Sequence, residues 1–235
     1  MTIDSADLSA SLRRLATRPD GGGGVISALQ EVNRACVDLF GVTGSGIMIA
    51  DEQNITRCVS ASDGPGRLLE ESEARLGQGP CTEAFINNTL VSSADVTAED
   101  RWPDLAAALR GRGIHAVLGV PVRLGGVPVG TLDAYLDRPH EWDTSERRAL
   151  VRYSDVVETT LTAALLAHTA GELAGQLQYA LDYRVVIERA VGYLMAQGGL
   201  DSVAAFNRLR STARGRRMKI GAVAEELLAT GRLPA

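Results

Sequence analysis

The chain contains no apolar run approaching the roughly 20 residues that cross a bilayer, so the sequence offers no membrane span. Its start, Met1-Thr2-Ile3-Asp4-Ser5, lacks the basic stretch and apolar core of a secretory signal. The 235 residues include three cysteines, Cys36, Cys58 and Cys81, widely spaced and without a CxxC pair. That argues against a disulfide framework or a zinc ribbon. Histidine is as sparse: His115, His140 and His168 show no metal-ligand spacing, and each reads as structural. There is no P-loop, no Gly-x-Ser-x-Gly elbow and no HExxH. Enzymatic chemistry therefore has no support in the sequence, no cofactor is identified, and the expectation is a soluble cytoplasmic protein that is not an enzyme.

What is present is apolar residues in element-sized patterns, 45% of the chain, ample for packed cores. Residues 1–24 read as a flexible N-terminal segment, because the glycine run Gly21 to Gly24 cannot hold an element; Leu8 to Leu15 suits a short helix. From Val25 to Phe40 the apolar positions recur at helical spacing. Gly46 to Ala50 and Ile55 to Ala61 read as a hairpin, followed by a Gly-rich, acidic excursion over 62–80. Residues 81–88 read as a short helix, Leu90 to Ser92 as a short strand and Trp102 to Arg112 as a helix. His115 to Arg123 and Val127 to Leu136 are strands joined by the turn Leu124-Gly125-Gly126.

The remainder is helical. Asp143-Thr144-Ser145-Glu146 offers caps, and the pattern runs through Leu150, Val157, Leu161 and Leu165 to Gln197-Gly198-Gly199. This predicts one very long helix, which Gly171 and Gly175 interrupt and bend. Within it Leu173, Leu177, Ala180, Arg184, Ile187, Val191 and Leu194 keep a heptad spacing, a surface for a coiled-coil dimer or for packing on the last two helices. Those last two span Ser202 to Arg214 and Ile220 to Thr230. The fold class is α+β: an antiparallel sheet with flanking helices, joined by a long helix to an all-α three-helix unit.

Charge is unevenly shared. From Gly171 onward nine basic residues face six acidic ones, whereas the first 170 positions carry a net −8. The C-terminal piece is the better candidate for a polyanion partner.

The stretch from Gln176 to Ala196, with its Ala-Leu-x-x-Arg-x-x-Ile-Glu-x-Ala-x-Gly-x-Leu-Met spacing, continues with Ala204-Ala205-Phe206, Leu209-Arg210, Ala213 and Ala222-Val223-Ala224. It resembles the ANTAR family of RNA-binding antitermination domains; Val191 departs from the lysine that many members carry there. Residues 25–168 resemble a GAF sensory domain, through Leu76-Gly77-Gln78-Gly79-Pro80-Cys81, Asp100-Arg101-Trp102-Pro103, Val117 to Gly126 and Val129-Gly130-Thr131-Leu132. The Asn-Lys-Phe-Asp-Glu motif of cyclic-nucleotide-binding members is absent. The domain division is thus 1–24, 25–168 and 169–235. The resemblance implies a homodimeric transcription antiterminator that binds paired hairpins in leader RNA, with no membrane or DNA partner, gated by an unknown small-molecule ligand or signal in the GAF-like domain. The alternative is a dimeric small-molecule sensor acting through a protein partner.

Candidate RNA-binding residues are Arg208, Arg210, Arg214, Arg216, Arg217 and Lys219, the last four in the turn between the final helices. Guanidinium clusters suit phosphate contact and stacking on splayed bases; without the resemblance the same cluster describes a solvated basic turn. Tyr179, Tyr183 and Tyr193 are stacking platforms or helix packing, and Arg184 is placed to pair with Glu188. For the sensory domain the ligand-pocket candidates are Cys81 and Trp102. Cys81 opens a helix, which can acidify a thiol, although a small core residue is the plainer role.

Overall fold

A computed structural model of the protein describes residues 2–16, 24–51, 54–167 and 171–234. His168 and the glycines Gly21 to Gly23 lie outside the described residues. Five strands, β1 (Gly44–Ala50), β2 (Thr56–Ala61), β3 (Val91–Ser93), β4 (Ala116–Leu124) and β5 (Val127–Leu136), form one antiparallel sheet of order β2-β1-β5-β4-β3. Side chains alternate across it. Ile47, Ile49, Leu118, Val120, Leu132 and Ala134 point to one core, and Met48, Val117 and Tyr135 to the other.

The first core is covered by α2 (Gly24–Phe40) and α6 (Thr144–Leu166), through Leu29, Val32, Cys36, Leu150, Tyr153 and Val157. The second is covered by α3 (Gly64–Leu76), α4 (Pro80–Asn87) and α5 (Pro103–Leu109). Because both faces are covered, β4 and β5 are buried almost throughout. The helix α6 starts on a reciprocal capping box: Asp143 accepts from the Ser145 and Glu146 N–H groups, and Glu146 accepts from the Asp143 N–H at 2.7 Å.

Two expectations are corrected and one is extended. The short helix expected over Leu8 to Leu15 is α1 (Ser5–Ala16), whose Leu8, Leu12 and Leu15 pack on the first core. It is tied down by the Ile3 N–H donating to Ser145 Oγ at 2.8 Å and by the Ser11–Tyr153 hydroxyl pair at 2.6 Å. The Gly-rich stretch 62–80 is largely α3: Gly64, Pro65 and Gly66 lie in its first turn, where proline is tolerated, and Asp63 accepts the Gly66 N–H at 2.7 Å. The long helix is two helices. α6 ends at Leu166, and α7 (Glu172–Gly198) begins after Gly171, whose φ of 53° with ψ of −130° is a combination that only glycine adopts readily.

The tail comprises α7, α8 (Ser202–Arg216) and α9 (Ile220–Thr230). All seven heptad positions of α7 are buried inside the chain itself. Leu173, Leu177 and Ala180 join the first core, while Ile187, Val191 and Leu194 meet Phe206, Leu209, Val223 and Leu227 of α8 and α9. The stripe is occupied by the chain's own sheet and helices. No helix among the described residues is long and apolar enough to cross a membrane.

Candidate functional site

The basic residues of the tail separate into two groups. Arg208, Arg214, Arg216, Arg217 and Lys219 are exposed. Arg214 and Arg216 sit in the last turn of α8 rather than in the following turn; Arg217 caps the helix with a φ of 55° and Lys219 caps α9. Lys219 Nζ lies 5.1 Å from the centre of the Tyr179 ring. Tyr179 and Tyr183 stack on each other at 4.5 Å, and the Tyr179 hydroxyl accepts the Gly221 N–H at 2.9 Å. A methyl group at Gly221 would collide with both rings, so these tyrosines serve the α7–α9 contact. Tyr193 donates to the Gly231 carbonyl at 3.2 Å.

Arg210 belongs to the second group, with Arg184: both are buried, at 7% and 5% exposure. They point at the sensory domain. Arg184 Nη2 donates to the Ile86 carbonyl at 3.1 Å, its Nε pairs with Glu188 at 2.7 Å, and its guanidinium lies 5.2 Å from the centre of the Phe85 ring. Arg210 Nη1 reaches the Ala74 carbonyl at 3.5 Å, Asn207 Nδ2 donates to the Gly77 carbonyl at 2.9 Å, and Ser202 Oγ bonds Asn87 Oδ1 at 2.6 Å. Phe206 meets Phe85 edge-on at 6.5 Å. The helix α8 is therefore seated on the C-terminal ends of α3 and α4, where carbonyls lack helical partners.

Beneath that seat lies a carboxyl cluster that the sequence reading missed. Glu70 and Glu73 come from α3 and Asp133 from β5; none is exposed. Glu73 accepts from the Thr82 N–H at 2.8 Å and the Cys81 N–H at 3.3 Å, satisfying the start of α4, which has no capping side chain of its own. Burial outweighs those bonds and pushes the Glu73 carboxyl up to about 8. Burial also raises Asp133, to about 6, and raises Glu70 well above the carboxylate range, with the negative charge of Asp133 adding to the effect. Neither Glu70 oxygen meets a fixed donor, and Asp133 is only partly offset by the nearby Gly46 N–H and Cys81 thiol. The two carboxyls interact with each other, as acids that share a proton do. The signal was present as Leu69-Glu70 and Glu73, which share a helix face once 64–76 is recognised as α3.

Cys81 and Trp102 are brought into one apolar cluster with Leu69, Val96 and Leu105, at 0% and 4% exposure. The thiol does not gain from its helix start. Burial, then the charges of Asp133, Glu73 and Glu70, raise its pKa well above the ordinary value, so it stays protonated. Arg101 covers the Trp102 ring at 4.1 Å. His115 faces Asp95 at 3.1 Å, and His140 faces Glu146 at 2.9 Å and stacks edge-on against Trp142.

Comparison with known proteins adds two family matches. The model described as GAF domain matches residues 25–161, more than half the chain, and that described as ANTAR domain matches residues 175–228. A Synechocystis protein that bears the name of a methyl-accepting chemotaxis protein is 33% identical over 79 residues, 33% of this chain and 8% of its own length. The GAF domain of the Acinetobacter phosphoenolpyruvate-protein phosphotransferase superposes with a TM-score of 0.54 at 17% identity, over 70% of this chain and 98% of its own. That of Coxiella burnetii gives 0.56 at 14% identity, with the same coverage. The free methionine-R-sulfoxide reductase of Neisseria meningitidis, solved with its substrate, gives 0.54 at 17% identity over 68% of this chain and 89% of its own. At these identities the likeness is one of fold.

Proposed function

Because the chain belongs to the GAF domain family over residues 25–161 and closes with an ANTAR domain over 175–228, we propose that it is a signal-responsive RNA-binding regulator that prevents transcription termination. On this reading the tail binds paired hairpins in nascent transcripts, and the GAF domain senses a ligand or signal. The chain works in the cytoplasm, as a regulator and not as an enzyme. The observation that carries the reading is the exposed row Arg208, Arg214, Arg216 and Arg217, which make no ion pair among the described residues and lie within the ANTAR match. Guanidiniums free of protein partners can meet phosphates and stack on unpaired bases.

The seat of α8 on α3 and α4 supplies a route for the signal. A ligand in the sensory domain acts on the tail to the extent that it binds the seated and released forms differently. Pairing of two tails on two hairpins gives a bivalent complex. Since the heptad face of α7 is occupied within the chain, a second copy must either dock elsewhere or displace it.

Filter binding with a two-hairpin leader RNA and a scrambled control tests the reading. The wild-type chain retains the paired hairpins selectively. The triple reversal Arg214→Glu, Arg216→Glu, Arg217→Glu loses binding by at least tenfold while its melting temperature stays within about 2 °C, since exposed substitutions cost little. Equal retention of both RNAs defeats the proposal.

A further inference from the structure

The face that α8 turns to the sensor is rich in donors but poorly matched to what covers it. Asn207, Arg210 and Arg214 recur at spacings of three and four, which places them on one face of the helix. Arg214 is exposed beside Leu76, the last residue of α3. Arg210 is buried against the end of that helix, and Asn207 is half-buried there. The Arg210 guanidinium has five N–H donors, yet the hydrogen bond it makes among the described residues is the long one to the Ala74 carbonyl. Burial and the charges of Arg214 and Arg57 disfavour its proton, and the acid acting the other way, Asp51, is bonded to Arg57 at 2.9 Å. A buried cation without a counter-charge is costly.

The acceptors that hold this face carry only partial charge. Arg210, Asn207 and, on α7, Arg184 donate to the main-chain carbonyls of Ala74, Gly77 and Ile86. These lie at the C-terminal ends of α3 and α4, where the helix dipole leaves partial negative charge. Phosphate oxygens bear full charge and match the guanidinium fork in geometry, so they are the stronger acceptors for the same donors. Both cannot be used at once. A methyl group at Gly77 would collide with the Arg210 guanidinium, so the sensor backbone stands where a phosphate would have to enter.

We propose that the seated face of α8 is the covered part of the RNA-binding surface, and that the ends of α3 and α4 compete with the RNA backbone for Asn207 and Arg210. The inference rests on the RNA-binding reading above and extends it: the seated chain is the closed form, and RNA holds the released one. Arg214, Arg216 and Arg217 are exposed while the seat is closed, so they make the first contact, and Arg210 follows as the seat opens. Seating and RNA binding are then linked reciprocally, each weakening the other by the same factor.

The test uses the full chain and the two-hairpin leader RNA. Asn87→Ala removes the Ser202 bond from the sensor side and changes no charge. It binds the RNA about fivefold tighter than wild type, the worth of one hydrogen bond made only in the seated form. Phe85→Ala, which takes away the contact with Phe206, gains roughly tenfold or more. Saturating RNA speeds amide exchange at Gly77 and Asn88, whose N–H groups close α3 and α4. Arg210→Gln lowers the slope of log affinity against log salt by about one, whichever way the affinity itself moves. If Phe85→Ala or Arg210→Gln fails to fold, Asn87→Ala and the exchange measurement decide. Equal affinity in wild type and Asn87→Ala, or exchange at Gly77 and Asn88 that RNA slows or leaves unchanged, overturns the competition while RNA binding stands. If none of these chains retains the RNA, the RNA-binding reading itself falls, and the competition with it.

Discussion

Glu70, Glu73 and Asp133 are carboxyls held where their charged forms are disfavoured. For an acid whose folded-state pKa is raised, the native state binds the extra proton. The associated stability is therefore present in acid and is lost as pH climbs from the ordinary carboxyl range toward about 6 for Asp133 and about 8 for Glu73. The protein should accordingly become less stable between pH 5 and pH 8. In Glu70→Gln one buried acid is replaced by a neutral amide that can donate to Asp133. Melts across that range should show a shallower decline than wild type and a gain of about 1 kcal/mol at pH 8; an unchanged slope would show that Glu70 does not titrate with the others. Cys81 lies in the same field. Its protonated, fully buried thiol should react with a thiol reagent only at the rate of unfolding, whereas prompt labelling would identify an opening of α4.

At the scale of elements, the seat of α8 can be weakened without touching either core. Asn207→Ala with Ser202→Ala removes the bonds to Gly77 and Asn87. At about 1 kcal/mol each, their loss should speed amide exchange in α8 roughly thirtyfold and leave β4 and β5 unchanged. Asp143→Ala, which deletes the cap of α6, should cost about 1 kcal/mol, or about 3 °C in melting temperature. The sequence predicted most elements because their signals are local: near-continuous apolar runs on either side of a Gly-Gly turn in β4 and β5, and helical spacing in α2, α8 and α9. It missed α3 because glycine and proline announce loops, yet here they occupy the first turn behind the Asp63 cap. It joined α6 to α7 because apolar spacing continues across Gly171 even though the backbone does not. The exposed arginines could be read from composition and motif. The burial of Arg210 could not, because it depends on helix ends more than 130 residues away.

For the whole molecule, the core formed by α7, α8 and α9 also includes Phe85 and Ile86 of α4. Unfolding of sensor and tail should therefore coincide. Both tryptophans, Trp102 and Trp142, belong to the sensor, so their fluorescence and the helical circular dichroism should share one midpoint. Phe85→Ala removes the ring between Arg184 and Phe206, costs about 3 kcal/mol and should separate the two transitions, the dichroism falling first. Coincident curves in that variant would mean the domains are coupled elsewhere.

The seat has a further property. On the sensor side three of its acceptors, at Ala74, Gly77 and Ile86, are main-chain carbonyls, which any sequence that folds into the same helix ends will present; side chains enter only at Phe85 and Asn87. On the tail side the donors are side chains that one nucleotide change can remove. Mutational control is thus lopsided. The sensor can drift toward new signals over generations and still offer its latch, while release from the latch lies one substitution away in the tail. Regulators built this way can exchange inputs readily, and their constitutive variants should arise in α7 and α8, and on the sensor side at Phe85 and Asn87, rather than at Ala74.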